Sequence, residues 1–107
     1  MKEEKGKLYV KVMEVDDELG TKTVVAVCDA ELLGKVFREG DKVLVINEEF
    51  FKGFLVDPDE VIDYIEKAYT ALIVGERAVN IALKSKVIHP DAILKISGIP
   101  YAQLVRL

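Results

Sequence analysis

The sequence is poor in the residues that most often carry catalysis or bind transition metals. Its 107 residues include one His, one Cys, two Ser and no Trp. A single cysteine cannot form an intrachain disulfide, and one His with one Cys cannot complete the four-ligand set of a structural zinc site. The composition therefore predicts no disulfide, no zinc and no other cofactor, and it favours a protein without catalytic residues.

Long apolar runs are absent too. The richest apolar window, residues 71–83, is interrupted by Gly75, Glu76, Arg77 and Asn80, and the N-terminus is charged where a signal peptide would be apolar. The sequence therefore predicts a cytoplasmic protein that does not associate with membranes. Many Lys and Glu beside two Asn and one Gln are typical of proteins from hot environments, which predicts a thermophilic source.

What the chain does contain is a regular alternation of apolar segments, and 50% of its residues are apolar. The periodicity predicts strands at residues 8–13, 23–28, 42–46, 50–56, 92–97 and 101–107, and the first two should pair as a hairpin. Helices are predicted at residues 30–38, from Pro58 to a break near Thr70, and at residues 71–85. We expect a single compact α+β domain over residues 1–107, with residues 1–6 disordered. Its mixed, mostly antiparallel sheet should pack on a central apolar helix, residues 71–85, and on one amphipathic helix.

The net charge of −4 is unevenly distributed along the chain. Residues 57–66 contain five acids and no base, whereas residues 77–107 contain five bases and one acid, a net charge of +4. This basic final segment could bind the backbone of an RNA, and a tyrosine could stack on a base; ordinary surface lysines are the alternative. The candidate binding residues are Arg77, Asn80, Lys84, Lys86, His89, Tyr101 and Gln103. The favoured function is a non-enzymatic binding module for RNA or a ribonucleoprotein.

A second hypothesis is a small enzyme or a metabolite-binding protein. A pocket could form around Cys28, Asp29, Glu76, Arg77 and His89, and at least three of these side chains should then converge on one cavity. A helix beginning after Cys28 could lower the pKa of the thiol, although the Asp29 carboxylate would oppose this. His89 could act as a base oriented by Asp91, but such a histidine is more often a loop residue with local hydrogen bonds.

A third hypothesis is docking of a protein partner. Phe50, Phe51 and Phe54 should occupy both faces of a strand, so one face could be exposed. Two acidic clusters, residues 16–18 and residues 57–60, could attract Mg²⁺. We interpret the first as a solvated turn and the second as a helix cap, and predict no metal site.

Three strings identify a resemblance that covers nearly the whole chain. They are CDAELLGK at residues 28–35, VGERAV at residues 74–79 and GIPYAQ at residues 98–103. They resemble a small archaeal family of uncharacterised proteins, the domain of unknown function numbered 424. The resemblance implies an archaeal, cytoplasmic α+β domain with no established activity, and the RNA hypothesis then points to an accessory role in archaeal translation. The family has His where Tyr101 stands here, so this position does not require an imidazole.

Overall fold

The computed structural model describes residues 6–106, and most of the predicted disorder at residues 1–6 lies outside that range. The described chain contains eight strands, three α-helices and two 3-10 turns. The strands are β1 (Leu8–Asp17), β2 (Gly20–Asp29), β3 (Val36–Glu39), β4 (Lys42–Val45), β5 (Phe54–Val56), β6 (Thr70–Val74), β7 (Leu94–Ile96) and β8 (Ile99–Val105). The helices are α1 (Glu48–Phe51), α2 (Pro58–Glu66) and α3 (Glu76–Lys84), and the 3-10 turns are Ala30–Leu32 and Pro90–Ala92.

Six strands form one sheet in the order β5-β1-β2-β6-β8-β7. Every neighbouring pair in it is antiparallel except β2 and β6, which are parallel. Strands β3 and β4 form a separate hairpin. The predicted α+β class and the mixed, mostly antiparallel sheet are therefore confirmed. Within residues 6–106, no helix is both long enough and apolar enough to cross a membrane.

Both faces of the sheet are covered. On the helix face, Val25 and Val27 of β2 pack with side chains of α2 and α3. On the opposite hairpin face, Ala26 and Cys28 pack with the first 3-10 turn, the β3–β4 hairpin and α1. Successive residues of a strand point to opposite faces, so a strand covered on both sides must be apolar at every position. This explains the continuous apolar run that the sequence shows in β2.

The predicted hairpin of the first two strands is confirmed, and it is longer than expected. The strands pair from Leu8 with Asp29 to Asp17 with Gly20. Strand β5 pairs only with residues 8–10 of β1, and β6 joins β2 from Val24 onward. Residues 14–23 therefore project beyond the rest of the sheet as a two-stranded arm.

The helix predicted at residues 30–38 is wrong beyond its first turn. The chain makes one 3-10 turn and then enters β3, because Gly34 adopts a φ of +86° that ends any helix. Most of its apolar residues still point inward: Leu32 is buried and Phe37 packs against the hairpin-face core, whereas Val36 is 48% exposed. The helical spacing of apolar residues 32, 33, 36 and 37 therefore predicted most of the buried side chains but not the backbone conformation.

The central apolar helix predicted at residues 71–85 is also wrong. Its first part is strand β6, which lies between β2 and β8, and only residues 76–84 are helical. A run apolar on all sides fits an inner strand covered on both faces as well as it fits a buried helix. Helix α3 is amphipathic instead: Ala78, Val79 and Ala82 are buried, and Glu76 is exposed.

The remaining boundaries differ by a few residues. The predicted strand at residues 50–56 divides into α1 and β5, because the Asn47 side chain accepts a hydrogen bond from the Phe50 amide at 2.7 Å and begins a short helix. Helix α2 begins at Pro58 as predicted, although the Asp57 side chain makes no capping hydrogen bond. The last turn lies at residues 97–98 rather than 98–100, since Ile96 pairs with Ile99.

Candidate functional site

A buried carboxylate joins the end of β2 to the beginning of α3. Asp29 is 3% exposed, and its two oxygens accept hydrogen bonds from the backbone amides of Arg77 at 3.0 Å and Ala78 at 2.9 Å. These amides belong to the first turn of α3, where they lack partners within the helix. Burial raises the pKa of Asp29, while the two amides and the Arg77 charge act in the opposite direction. Asp29 therefore caps a helix distant in sequence instead of the turn that follows it.

We call this contact between the end of β2 and the start of α3 the junction. The side chain of Arg77 extends it towards the surface. Its guanidinium forms a two-bond ion pair with the Glu31 carboxylate, including Nη1 to Oε2 at 2.9 Å, and Nη2 also donates to the Lys7 carbonyl at 3.0 Å. The hydrogen bond from Arg77 lowers the pKa of Glu31. Arg77 was a candidate RNA contact, but its two terminal nitrogens are engaged within the protein.

Gly75 makes the junction possible for two reasons. Its φ of +108° lies in a region that other residues rarely adopt, and a Cβ there would approach the Asp29 carboxyl carbon to 2.4 Å. Its amide donates to the Pro100 carbonyl at 2.8 Å, which ties the start of α3 to β8. The sequence-based prediction missed Gly75 and Glu31, and their only signal is that both lie in strings shared with the family.

Cys28 lies on the other face of β2 and is completely buried. Burial, with a smaller contribution from the Asp29 charge, raises the pKa of its thiol to about 12. A thiol with so high a pKa is almost entirely protonated near neutral pH and is a poor nucleophile.

The members of the predicted pocket do not converge. Cys28 faces the hairpin-face core, whereas the Asp29 carboxylate is occupied by the amides of α3. Glu76 and His89 line two different depressions. The structure thus brings together only Asp29 and Arg77, and their contact is structural.

Two adjoining depressions follow the outer side of α3. The first has a volume of about 240 Å³ and the second about 550 Å³, and Leu83 borders both. We call them together the α3 groove. The first is lined by Glu76, Val79, Asn80, Leu83, Ile93, Lys95 and Pro100, and the second by Leu83, Lys86, Val87, Ile88, His89 and Pro90. Lys84 is exposed on the last turn of α3, one turn beyond Asn80.

His89 is mainly a loop residue. Its side chain is 74% exposed, and its Nδ1 accepts a hydrogen bond from the Asp91 amide at 3.1 Å and lies 3.6 Å from an Asp91 carboxylate oxygen. Because Nδ1 is an acceptor here, the neutral ring carries its proton on Nε2. The predicted pairing with Asp91 is thus present, as a local contact at the edge of the α3 groove.

The other candidates lie elsewhere. Tyr101 packs against the hairpin-face core, and Gln103 is exposed two residues further along β8 on the same face. Neither side chain shares the helix face with α3. Phe51 is 1% exposed, whereas Phe54 is 59% exposed and stacks on Tyr64 with ring centres 6.4 Å apart.

One acidic cluster could hold a cation by distance alone. Carboxylate oxygens of Asp57, Asp59 and Glu60 lie within 4.8 Å of one another, and all three residues are exposed at the start of α2. Asp57 also forms an ion pair with Lys7 at 3.5 Å. Acids are stabilising at this end of a helix without any metal.

The fold and the buried junction define a class: a small domain in which one mixed sheet is covered by helices on one face and by a hairpin on the other. Residues 15–107 match the family described as protein of unknown function (DUF424), and the chain belongs to that family. A crystal structure of an uncharacterised conserved protein from the archaeon Methanopyrus kandleri is similar to it, with 26% identity and a TM-score of 0.69. The similarity covers 94% of this chain and 95% of that one. No curated protein matches the chain. The resemblance inferred from the three strings is confirmed.

Proposed function

We propose that this protein binds RNA without catalysing a reaction and that the α3 groove is its contact surface. The observation that carries this proposal is the conformation of Lys86, whose φ is +62°. Its amide donates to the Leu83 carbonyl and the next amide donates to the Ala82 carbonyl, a helix ending that normally has glycine at this position. Lys86 occupies this position at a conformational disadvantage, and its side chain borders the groove.

The charges around the groove support an anionic ligand. Lys84, Lys86 and Lys95 stand on its rim or beside it; the acids there are Glu76, which lines it, and Asp91, which contacts His89 at its edge. Lys84 and Lys86 also lie at the C-terminal end of α3, where positive charge is favoured by the helix dipole. Their position is thus compatible with both folding and phosphate binding.

The chemistry of the groove suits single-stranded RNA. Lysines contact phosphates, the Asn80 amide can hydrogen-bond a base edge, and the exposed ring of His89 can stack on a base. Side chains such as Leu83 and Ile93 form an apolar floor. Three phosphate contacts predict that the logarithm of the binding constant falls with the logarithm of salt concentration with a slope of about −2.

The experiment uses fluorescein-labelled dodecauridylate and total archaeal RNA, with fluorescence anisotropy at two salt concentrations. Lys86→Gly should weaken binding and reduce the salt slope by about 0.7. The same change should stabilise the fold by about 1 kcal/mol, because glycine adopts this backbone conformation without strain. Lost binding in a more stable protein cannot be attributed to misfolding.

The matched control is Lys35→Ala combined with Lys42→Ala, which removes two exposed lysines near and within the β3–β4 hairpin. This double variant should bind RNA like the parent, whereas Lys84→Ala combined with Lys95→Ala should bind more weakly. Equal losses in the two double variants would mean that binding reflects total charge, and they would contradict the proposal. Absence of binding at low salt would do so as well.

The same proposal includes a cytoplasmic role in translation in a heat-adapted archaeon. The archaeal relative supports the source, and the scarcity of Asn and Gln supports heat adaptation. Purified protein should cosediment with ribosomal particles from a thermophilic archaeon and be released by the salt that dissociates it from RNA. If the Lys84→Ala, Lys95→Ala variant cosediments as the parent does, association with ribosomal particles does not depend on the groove.

A further inference from the structure

The arm and the adjacent side of α2 form a second unassigned surface. It lies at the β5–β1 edge of the sheet, whereas the α3 groove lies towards β8 and β7 at the opposite edge. Its members are Val12, Glu14, Phe54, Glu60, Asp63 and Tyr64, and we call it the arm surface.

Apolar and aromatic side chains form the middle of the arm surface. Phe54 is 59% exposed and Val12 is 42% exposed, and the two lie on the same face of neighbouring strands. Tyr64 stacks on Phe54 and borders two depressions of about 430 and 300 Å³. These side chains offer contact area that the folded chain leaves uncovered.

The backbone of the arm is open at the same place. Strand β5 pairs with β1 only as far as Val10, so within the described chain residues 12–16 have a strand partner on one side alone. Alternate residues of an antiparallel strand turn their N–H and C=O groups to each side. About 17 Å of strand edge is therefore available to an added strand.

The negative charge around this edge favours a cationic partner. Glu14 is exposed on the arm, Asp63 and Glu60 are exposed on α2, and Lys67 is the cation that borders both depressions. A second copy of the chain would bring its own acidic edge against this one, which disfavours self-pairing. RNA would be repelled for the same reason.

We infer that the arm surface binds an extended, lysine- or arginine-rich segment of a partner protein by strand addition to β1. The segment's backbone pairs with residues 12–16, its apolar side chains contact Val12 and Phe54, and its cations contact Glu14 and Asp63. This mode takes affinity from main-chain hydrogen bonds and specificity from the alternating side chains. The inference is independent of the RNA proposal, because it uses other residues at the other edge of the sheet.

The probe is a fluorescein-labelled heptapeptide, Val-Thr-Lys-Thr-Val-Thr-Lys, which places its apolar and cationic side chains on one face of a strand; it is titrated with the full chain and followed by anisotropy. We expect saturable binding and slowed hydrogen exchange of arm amides on the open edge. Two further peptides carry N-methyl groups on alternate backbone nitrogens, one on the odd and one on the even positions, which removes hydrogen-bond donors but keeps every charge. The peptide that is methylated on the nitrogens facing β1 should bind about tenfold more weakly. The same peptide with Glu in place of both lysines should not bind.

Glu14→Lys combined with Asp63→Lys should weaken binding of the lysine peptide by about tenfold. The matched control, Asp41→Lys combined with Glu48→Lys, makes the same charge change at exposed positions outside the arm surface and should change binding by less than about twofold. Equal effects of the two variants, full binding of both N-methylated peptides, or no binding would overturn the inference. Loss of peptide binding in the Lys84→Ala, Lys95→Ala variant would overturn it too, by showing that the peptide uses the α3 groove.

Discussion

Replacing the buried cap with its neutral isostere, Asp29→Asn, should destabilise the protein by about 2 kcal/mol. The asparagine retains one oxygen, so one of the two amides of Arg77 and Ala78 loses its acceptor while the new side-chain NH₂ group faces it. An unpaired buried donor costs about 1–3 kcal/mol, and the lost negative charge at the helix N-terminus adds to this. Because burial raises the pKa of Asp29, the lower desolvation of a neutral side chain offsets the lost charge, and the unpaired donor determines the expected loss.

The assay is urea unfolding at pH 7 and 25 °C followed by far-ultraviolet circular dichroism, with a thermal melt as a second measurement. A loss of about 2 kcal/mol should lower the midpoint temperature by roughly 10 °C in a domain of this size. Asp63→Asn, which changes an exposed acid in α2, is the control and should remain within about 0.5 kcal/mol of the parent. An Asp29→Asn variant as stable as this control would refute the capping role.

The pH dependence gives a further test of the same residue. Burial raises the pKa of Asp29 above its ordinary 3.8, so the folded protein binds this proton more readily than the unfolded chain does. This group's contribution to stability is greatest below pH 3.8 and is lost as the pH rises through the folded pKa. The advantage of the parent over Asp29→Asn should therefore grow on acidification, and a constant difference would contradict the assigned direction.

Three other predictions concern the same junction. Gly75→Ala should destabilise the fold by about 2 kcal/mol or more in urea unfolding, because the backbone conformation and the Asp29 carboxylate both exclude a Cβ; an unchanged midpoint would contradict it. Glu31→Gln should lower the free energy of unfolding by about 1 kcal/mol at pH 7. This difference should vanish as the pH falls through the lowered pKa of Glu31, since the ion pair with Arg77 stabilises the fold only while Glu31 is ionised. Cys28 should react with an aromatic disulfide reagent at pH 8 only at the rate of unfolding, and rapid labelling of the native protein would refute its burial.

The elements predicted correctly are those whose conformation is determined by residues close in sequence. Pro58 has a fixed φ and is followed by acids that suit a helix N-terminus, so α2 begins where the sequence indicates. The alternation around Val10 and the turn residues after Asp17 similarly determined the first hairpin. In both cases the neighbours in sequence are also the neighbours that determine the conformation.

The errors arose where long-range packing decides the backbone. Residues 71–74 are apolar on every side, and only the presence of β2 and β8 on either flank makes them a strand. Residues 32–37 carry a helical spacing of apolar residues, yet the positive φ of Gly34 and pairing with β4 place Phe37 in a strand. Hydrophobic spacing predicts which side chains are buried more reliably than it predicts the backbone when a segment is short.

The candidate site also was predicted in part from the sequence and in part depends on long-range packing. The basic character of the final segment led to Asn80, Lys86 and His89, which do line the α3 groove. The face of the sheet on which Tyr101 lies could not be derived from the sequence, because a one-residue error in strand register reverses the face of every residue in the strand. Phe54 was a candidate for docking a protein partner, but the rest of the arm surface went unpredicted, because Val12 and Phe54 meet only through the pairing of β1 with β5.

The three strings that identify the family meet at one place in the structure. Asp29 and Glu31 come from the first, Gly75 and Arg77 from the second, and the Pro100 carbonyl that accepts from Gly75 comes from the third. Their shared task is to hold the start of α3 against the ends of β2 and β8, which is a requirement of folding. The residues that carry the resemblance to the family are therefore poor guides to a ligand. Function is better sought in side chains outside the strings, and both the lysines of the α3 groove and the acids of the arm surface lie there.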